Sequence, residues 1–145
     1  MLVPQTIHAQ DDHEGTLAGT WFVTVNIPNP PPGIPATFQA LHSYMSDGRF
    51  IDQSNRTSGS VGDAHGEWEP LGSRRFALTF LFFGFDPAGN HVLTVKVRST
   101  LTLNEQGNQW TGPFVAQAYS PTGTPLGPPI NGMHSGVRIV NEPLQ

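Results

Sequence analysis

Apolar and polar residues alternate along most of this chain with a period of two, and glycine or proline interrupts the alternation at short intervals. From Trp21 to Ile27 the residues Trp21, Val23, Val25 and Ile27 share one face, and Phe22, Thr24 and Asn26 the other. Pro28, Pro30, Pro31 and Pro32 end the run, because proline cannot donate to a strand ladder. The runs Thr37–Ser46 and Arg49–Ser54 flank Asp47-Gly48, the strongest short hairpin signal in the chain. Further strands are predicted over His65–Glu69, Phe76–Phe85, His91–Leu103 and Trp110–Tyr119, with turns at "PLGS", "DPAGN" and "NEQGNQ" between them. Pro121–Pro129 reads as irregular chain, and His134–Val140 as a last short strand. Strands joined in sequence by short turns predict an all-β fold: a single up-and-down antiparallel β-barrel of about eight strands, or else a sandwich. The barrel domain spans residues 16–145, after a leader of residues 1–15.

Hairpin pairing turns this pattern into an inside and an outside. Opposing Leu103 to Trp110 places Leu101 with Gly112, Ser99 with Phe114, Val97 with Ala116 and Val95 with Ala118 on one face, which reads as interior. Carrying the register back through "DPAGN" adds Phe85 with His91, Phe83 with Leu93, Leu81 with Val95 and Thr79 with Val97 to that side. Small residues beside large ones there leave room inside a barrel. The same register turns Phe76, Leu78, Phe80 and Phe82 outward, a row that predicts a homodimer interface. A slip of one residue exchanges the two roles.

Composition narrows the partners. Only 12% of the 145 residues are charged and the net charge is −4, with no basic cluster, so a nucleic-acid backbone is a poor partner. No apolar run approaches the ~20 residues of a membrane-spanning helix. Cysteine is absent, which removes disulfides, thiolate metal sites and a thiol nucleophile. The start "MLVPQTIHAQDD" reads either as a flexible leader or as the remnant of a secretory signal, the latter predicting a secreted or periplasmic protein over a cytoplasmic one. Asn55-Arg56-Thr57 is a glycosylation sequon, relevant only in a eukaryotic secretory pathway.

Candidate chemistry is sparse. His42 and Tyr44 share a strand face with Phe38 and Ala40, and a two-residue turn at Asp47-Gly48 sets Gln53 opposite His42. If that face is interior, His42, Tyr44 and Gln53 form a polar cluster able to orient a ligand or move protons. The competing face carries Leu41, Met45, Phe50 and Asp52, and is equally compatible with the pattern. In "AHGEWEP", His65, Glu67 and Glu69 oppose Trp68, and inward acids there imply a base. Trp68 is the better inward residue, and no metal site is read from a lone His-x-Glu. Arg74, Arg75 and Arg98 are candidates for an anion at a barrel rim, or else are solvated strand ends.

Gly19-Thr20-Trp21 at the head of the first strand resembles the Gly-x-Trp signature of the lipocalin and calycin barrels. That resemblance implies that Arg138 on the last strand packs across Trp21 and closes the barrel floor, a structural role for both. The lipocalin Thr-Asp-Tyr motif, disulfides and C-terminal helix are missing. Small barrels of the allene oxide cyclase type are a neighbouring resemblance. The implied function is binding of a small hydrophobic molecule in the lumen, without a cofactor, against Val23, Val25, Gln53, Trp68, Leu81, Phe83, Val95, Val97, Phe114 and Ala116. The alternative is a cofactor-free cyclase, isomerase or epoxide hydrolase using His42, Tyr44, Glu67 or Arg98 for acid–base catalysis. A third reading is an interaction domain with no cavity.

Overall fold

The computed structural model describes residues 15–56 and 60–144. Both readings of the leader therefore lie outside the described residues. Eight antiparallel strands follow one another around a closed barrel: β1 (Gly19–Asn26), β2 (Thr37–Tyr44), β3 (Arg49–Ser54), β4 (Ala64–Gly72), β5 (Arg75–Phe85), β6 (His91–Leu103), β7 (Gln109–Tyr119) and β8 (Pro125–Arg138). The order is up-and-down, β8 pairs back onto β1, and no helix occurs among the described residues. This is the architecture of a small calycin-like barrel. Closure pairs β8 back onto β1 from Met133 onward, and it gives every strand one face toward a shared interior.

The β6–β7 hairpin has the expected register, with Leu103 opposite Trp110, Ser99 opposite Phe114 and Val97 opposite Ala116. The β5–β6 register differs from expectation by one residue. Phe85 does oppose His91, but a bulge follows, so Gly84 opposes Leu93 and Val92 is left over. Gly84 permits this close approach, since a Cβ there would lie 2.6 Å from a Leu93 methyl. Beyond the bulge Phe82 meets Val95, Phe80 meets Val97 and Leu78 meets Ser99. Phe76, Leu78, Phe80 and Phe82 consequently point inward, and Leu81 and Phe83 point to solvent at 44% and 52% exposure. The predicted dimer interface is part of the core, and Leu81 and Phe83 are not lumen residues.

β8 corrects the reading of the tail as irregular. It begins at Pro125 and includes Pro128 and Pro129. Its first half pairs only with β7, through Tyr119–Pro125, Ala118–Leu126 and Ala116–Ile130, with a bulge between Ala116 and Ala118. β1 joins it only from Met133 onward. The prolines thus occupy a one-sided stretch where a missing N–H leaves no second ladder short of a donor. Further along, inward Gly132 and Gly136 make space for the rings of Phe114 and Trp110. A Cβ at Gly136 would lie 2.5 Å from Trp110, and one at Gly132 would strike Phe114.

The floor lies at the β1 start. Trp21 is fully buried, donates its indole N–H to the Leu17 carbonyl at 2.9 Å, and meets Trp110 edge-on at 6.2 Å. The Arg138 guanidinium stacks 4.3 Å from the Trp21 ring centroid and donates to the carbonyls of Thr16, Ala18 and Gly107. Gly19 is required beside it: its φ is +132°, and a Cβ there would lie 2.7 Å from an Arg138 nitrogen. The structural pairing of Trp21 with Arg138 is therefore present.

Candidate ligand-binding site

Above the aromatic floor the barrel does not fill. A cavity of about 220 Å³ runs toward the opposite end, where Ile27 and Ile34, Arg56, Val61 and the adjoining ends of β5 and β6 form its mouth. Walls come from all eight strands and are mainly apolar: Val25, Phe38, Phe80, Val97, Phe114 and Ala116 among them. Val23 packs in the buried core with them, and Val95 lines the lumen as expected. Trp68 points inward but sits in the floor, its indole N–H donating to the Met45 carbonyl at 2.9 Å.

Below the mouth, the polar groups that reach this lumen come from β2, β3 and β8. The β2–β3 connection is one residue longer than a two-residue turn: Met45 N–H donates to Arg49, Gly48 N–H donates to Met45, and Gly48 has φ +96°. That is the three-residue hairpin loop that ends on a left-handed glycine. Its register sets Tyr44 opposite Phe50, His42 opposite Asp52 and Leu41 opposite Gln53. Gln53 is therefore on the outer surface, and Asp52 takes the place expected for it. The interior combines half of each face left open by the sequence: His42 and Tyr44 with Phe50 and Asp52.

His42 is 1% exposed, stacked on Trp110 at 5.8 Å and edge-on to Phe50 at 4.8 Å. Its Nδ1 is 2.9 Å from the Tyr44 hydroxyl. With Tyr44 donating to Nδ1, the Nε2–H faces Asp52, whose Oδ2 lies 3.7 Å away. This is close enough for charge interaction but too long for a hydrogen bond. Asp52 Oδ1 is buried and has no hydrogen-bond partner. Burial first, and the charge of Asp63 second, raise the Asp52 carboxyl from 3.8 to about 7. Burial and then the proximity of His134 hold His42 well below its ordinary value, so it is neutral at physiological pH. Burial, with the Asp52 charge second, keeps the Tyr44 phenol protonated.

His134 completes the cluster, and the sequence reading did not single it out. It is 3% exposed on β8, with its ring 6.0 Å from that of His42. Ser99 Oγ donates to the Pro113 carbonyl at 2.8 Å and lies 2.7 Å from His134 Nε2. A hydroxyl has one proton, so His134 Nε2–H must donate to Ser99 and Nδ1 keeps the lone pair. Burial lowers this imidazole to about 3. The alternation Gly132-x-His134-x-Gly136-x-Arg138 puts His134 on the face of Arg138, which is the signal in the sequence that points to it.

The remaining candidates are elsewhere. Glu67 and Arg98 are exposed on the outer surface, as are His65 and Glu69. Arg74 and Arg75 lie at the start of β5, the floor end, where Arg74 approaches Glu105 at 3.9 Å. Neither flanks the mouth. Of the four proposed catalytic side chains, only His42 and Tyr44 converge, and Asp52 and His134 join them. The cluster can offer a carboxyl that donates or accepts a proton near neutrality, beside two neutral imidazoles. Comparison of the chain with protein-family models, curated proteins and solved structures finds no match.

Proposed function

We propose that this protein binds a compact apolar molecule in its lumen and holds one polar group of that molecule on Asp52. The observation that carries the reading is a cavity of about 220 Å³ with apolar walls from every strand and one buried carboxyl without a hydrogen-bond partner. A carboxyl in that position is costly to leave unpaired, so a ligand hydroxyl or carbonyl that satisfies it gains affinity and orientation together. The volume falls below the ~300–1,000 Å³ of drug-sized sites and favours a small ligand. Kinship with the lipocalins is part of the proposal, supported by the stacking of Arg138 on Trp21 behind Gly19.

The test is a titration with a neutral, polarity-sensitive dye such as N-phenylnaphthylamine. The wild-type protein should enhance its emission saturably, and Ala116→Phe, which fills the lumen opposite Val97, should abolish the enhancement. Equal binding by the filled variant sinks the reading.

A second reading, acid–base catalysis, is favoured by one observation: Asp52 titrates at about 7 within reach of the neutral His42. A carboxyl of this kind can remove a proton from carbon beside a carbonyl and return it at another carbon of the same molecule, leaving protein and atoms balanced. It predicts deuterium uptake from heavy water into bound unsaturated ketones, lost in Asp52→Asn while dye binding is kept. Uptake undiminished in that variant rules this chemistry out.

A further inference from the structure

β3 ends at Ser54, but the chain stays on its course for two residues more. Asn55 N–H donates to the Gln39 carbonyl at 2.8 Å, and Gln39 N–H returns a bond to Asn55 Oδ1 at 2.8 Å. The alternation that turns Phe50, Asp52 and Ser54 inward therefore delivers Arg56 to the same side, at the mouth of the lumen. Its guanidinium lies 5.5 Å from the Phe38 centroid and 5.9 Å from that of Phe82, held between two aromatic rings of the cavity wall.

The surroundings of this arginine set it apart. Among the described residues no carboxylate lies within ion-pair distance of Arg56, and its N–H groups have no hydrogen-bond acceptor. Arg138 is the useful comparison. That guanidinium is also half-buried and also stacked on a ring, yet it donates to three backbone carbonyls, as a structural arginine should. Arg56 has the rings without the acceptors. Removing a guanidinium from water without pairing it is unfavourable, and burial here lowers its pKa accordingly. Among the described residues, Arg56 is also the one Lys or Arg that lines the cavity.

We infer that Arg56 is an anion site at the mouth and that the natural ligand is a small apolar monocarboxylate, its carboxylate on the guanidinium and its hydrocarbon body in the lumen. The planar fork of N–H donors matches a carboxylate in two parallel bonds, and the rings of Phe38 and Phe82 flank it at the mouth. Asp52 lies four residues back along the chain, a rise of roughly 13 Å at ~3.3 Å per extended residue. That separation accommodates a medium-length hydrocarbon chain, with Asp52 left to take a hydroxyl or carbonyl where the acid carries one. The inference rests on the proposed binding function and adds the class of ligand to it.

Octanoate and octanol, compared by calorimetry at neutral pH, separate the two claims. Wild-type protein should bind octanoate about tenfold more tightly than octanol, in line with a charge-assisted pair. In Arg56→Gln this preference should vanish while octanol affinity stays the same, and Arg56→Lys should keep part of it. Arg98→Gln, on the outer surface, should leave both affinities unchanged. Unchanged melting temperatures exclude misfolding as the cause of any loss. A preference that survives Arg56→Gln, or one absent from the wild type while octanol binds, overturns the anion site and leaves the lumen's role intact. Failure of octanoate, octanol and the neutral dye alike overturns both.

Discussion

Arg138, half-buried, and Asp52, almost fully buried, show how two charged residues carry different consequences. Arg138 stacks on Trp21 and donates to three carbonyls, so its contribution is to the fold. Arg138→Ala should lower stability by about 3 kcal/mol in urea denaturation, through lost stacking and unpaired carbonyls. Dye affinity should be unchanged, because the lumen mouth is at the other end. Asp52 works against stability at high pH. Its carboxyl titrates near 7 when folded against an ordinary 3.8, so the folded state keeps a proton that the unfolded chain has lost in that window. Stability due to Asp52 is full below about 4, falls as pH rises toward 7, and stays reduced above it. Asp52→Asn should therefore be more stable than wild type at pH 8, by as much as about 4 kcal/mol, with the difference gone near pH 4. Melts of both proteins at the two pH values check this. His42 and His134, lowered by burial, act in the opposite sense and cost stability only as pH falls below 6.5. At this scale the sequence made His42, Tyr44, Trp21 and Arg138 legible, since ring or motif marks each. Asp52 and His134 were not, because their inward direction depends on a turn length and on a tail strand.

Elements were legible where a hairpin has no irregularity, and misread where one does. β6 and β7 pair as the alternation predicts, with Leu103 opposite Trp110. β5 is apolar on both faces, so alternation alone cannot orient it, and the bulge at Gly84–Phe85 decides. Gly48 likewise adds a residue to the β2–β3 turn and turns the face of β3. The prolines of β8 concealed a strand because their one-sided pairing is a property of the closed barrel and not of the local chain. The β5 assignment has a direct consequence in denaturation experiments. Phe80→Ala, in the core, should cost about 3–5 kcal/mol, and Leu81→Ala, on the surface, within about 0.5. The reverse order would restore the register in which the phenylalanine row faces outward. Gly66→Ala tests the close approach of β4 to β5. Its Cβ would run into the Thr79 carbonyl and lie 2.6 Å from Phe80, so loss of the folded state in circular dichroism is expected.

At the scale of the whole molecule, the barrel separates its two tasks along its length. The start of β1 and the end of β8 supply a packed aromatic floor under a guanidinium, and the far ends of the strands supply a lined mouth. The eight-stranded order follows from turn spacing and alternation, which are local and therefore readable. The room inside was legible at β6 and β7, where Ala116 and Ala118 oppose Val97 and Val95 across one hairpin; the lining from β3 and β5 was not, because a turn length and a bulge set which of their faces turns inward. His42, Asp52 and His134 line the same lumen as Arg56. The central claim is that this lumen, and no outer surface, takes an apolar molecule. Titration of N-phenylnaphthylamine into wild type and Ala116→Phe, each shown to be folded, tests it most directly. Saturable emission from the wild type and none from the filled variant is the predicted result; equal emission from both would contradict it.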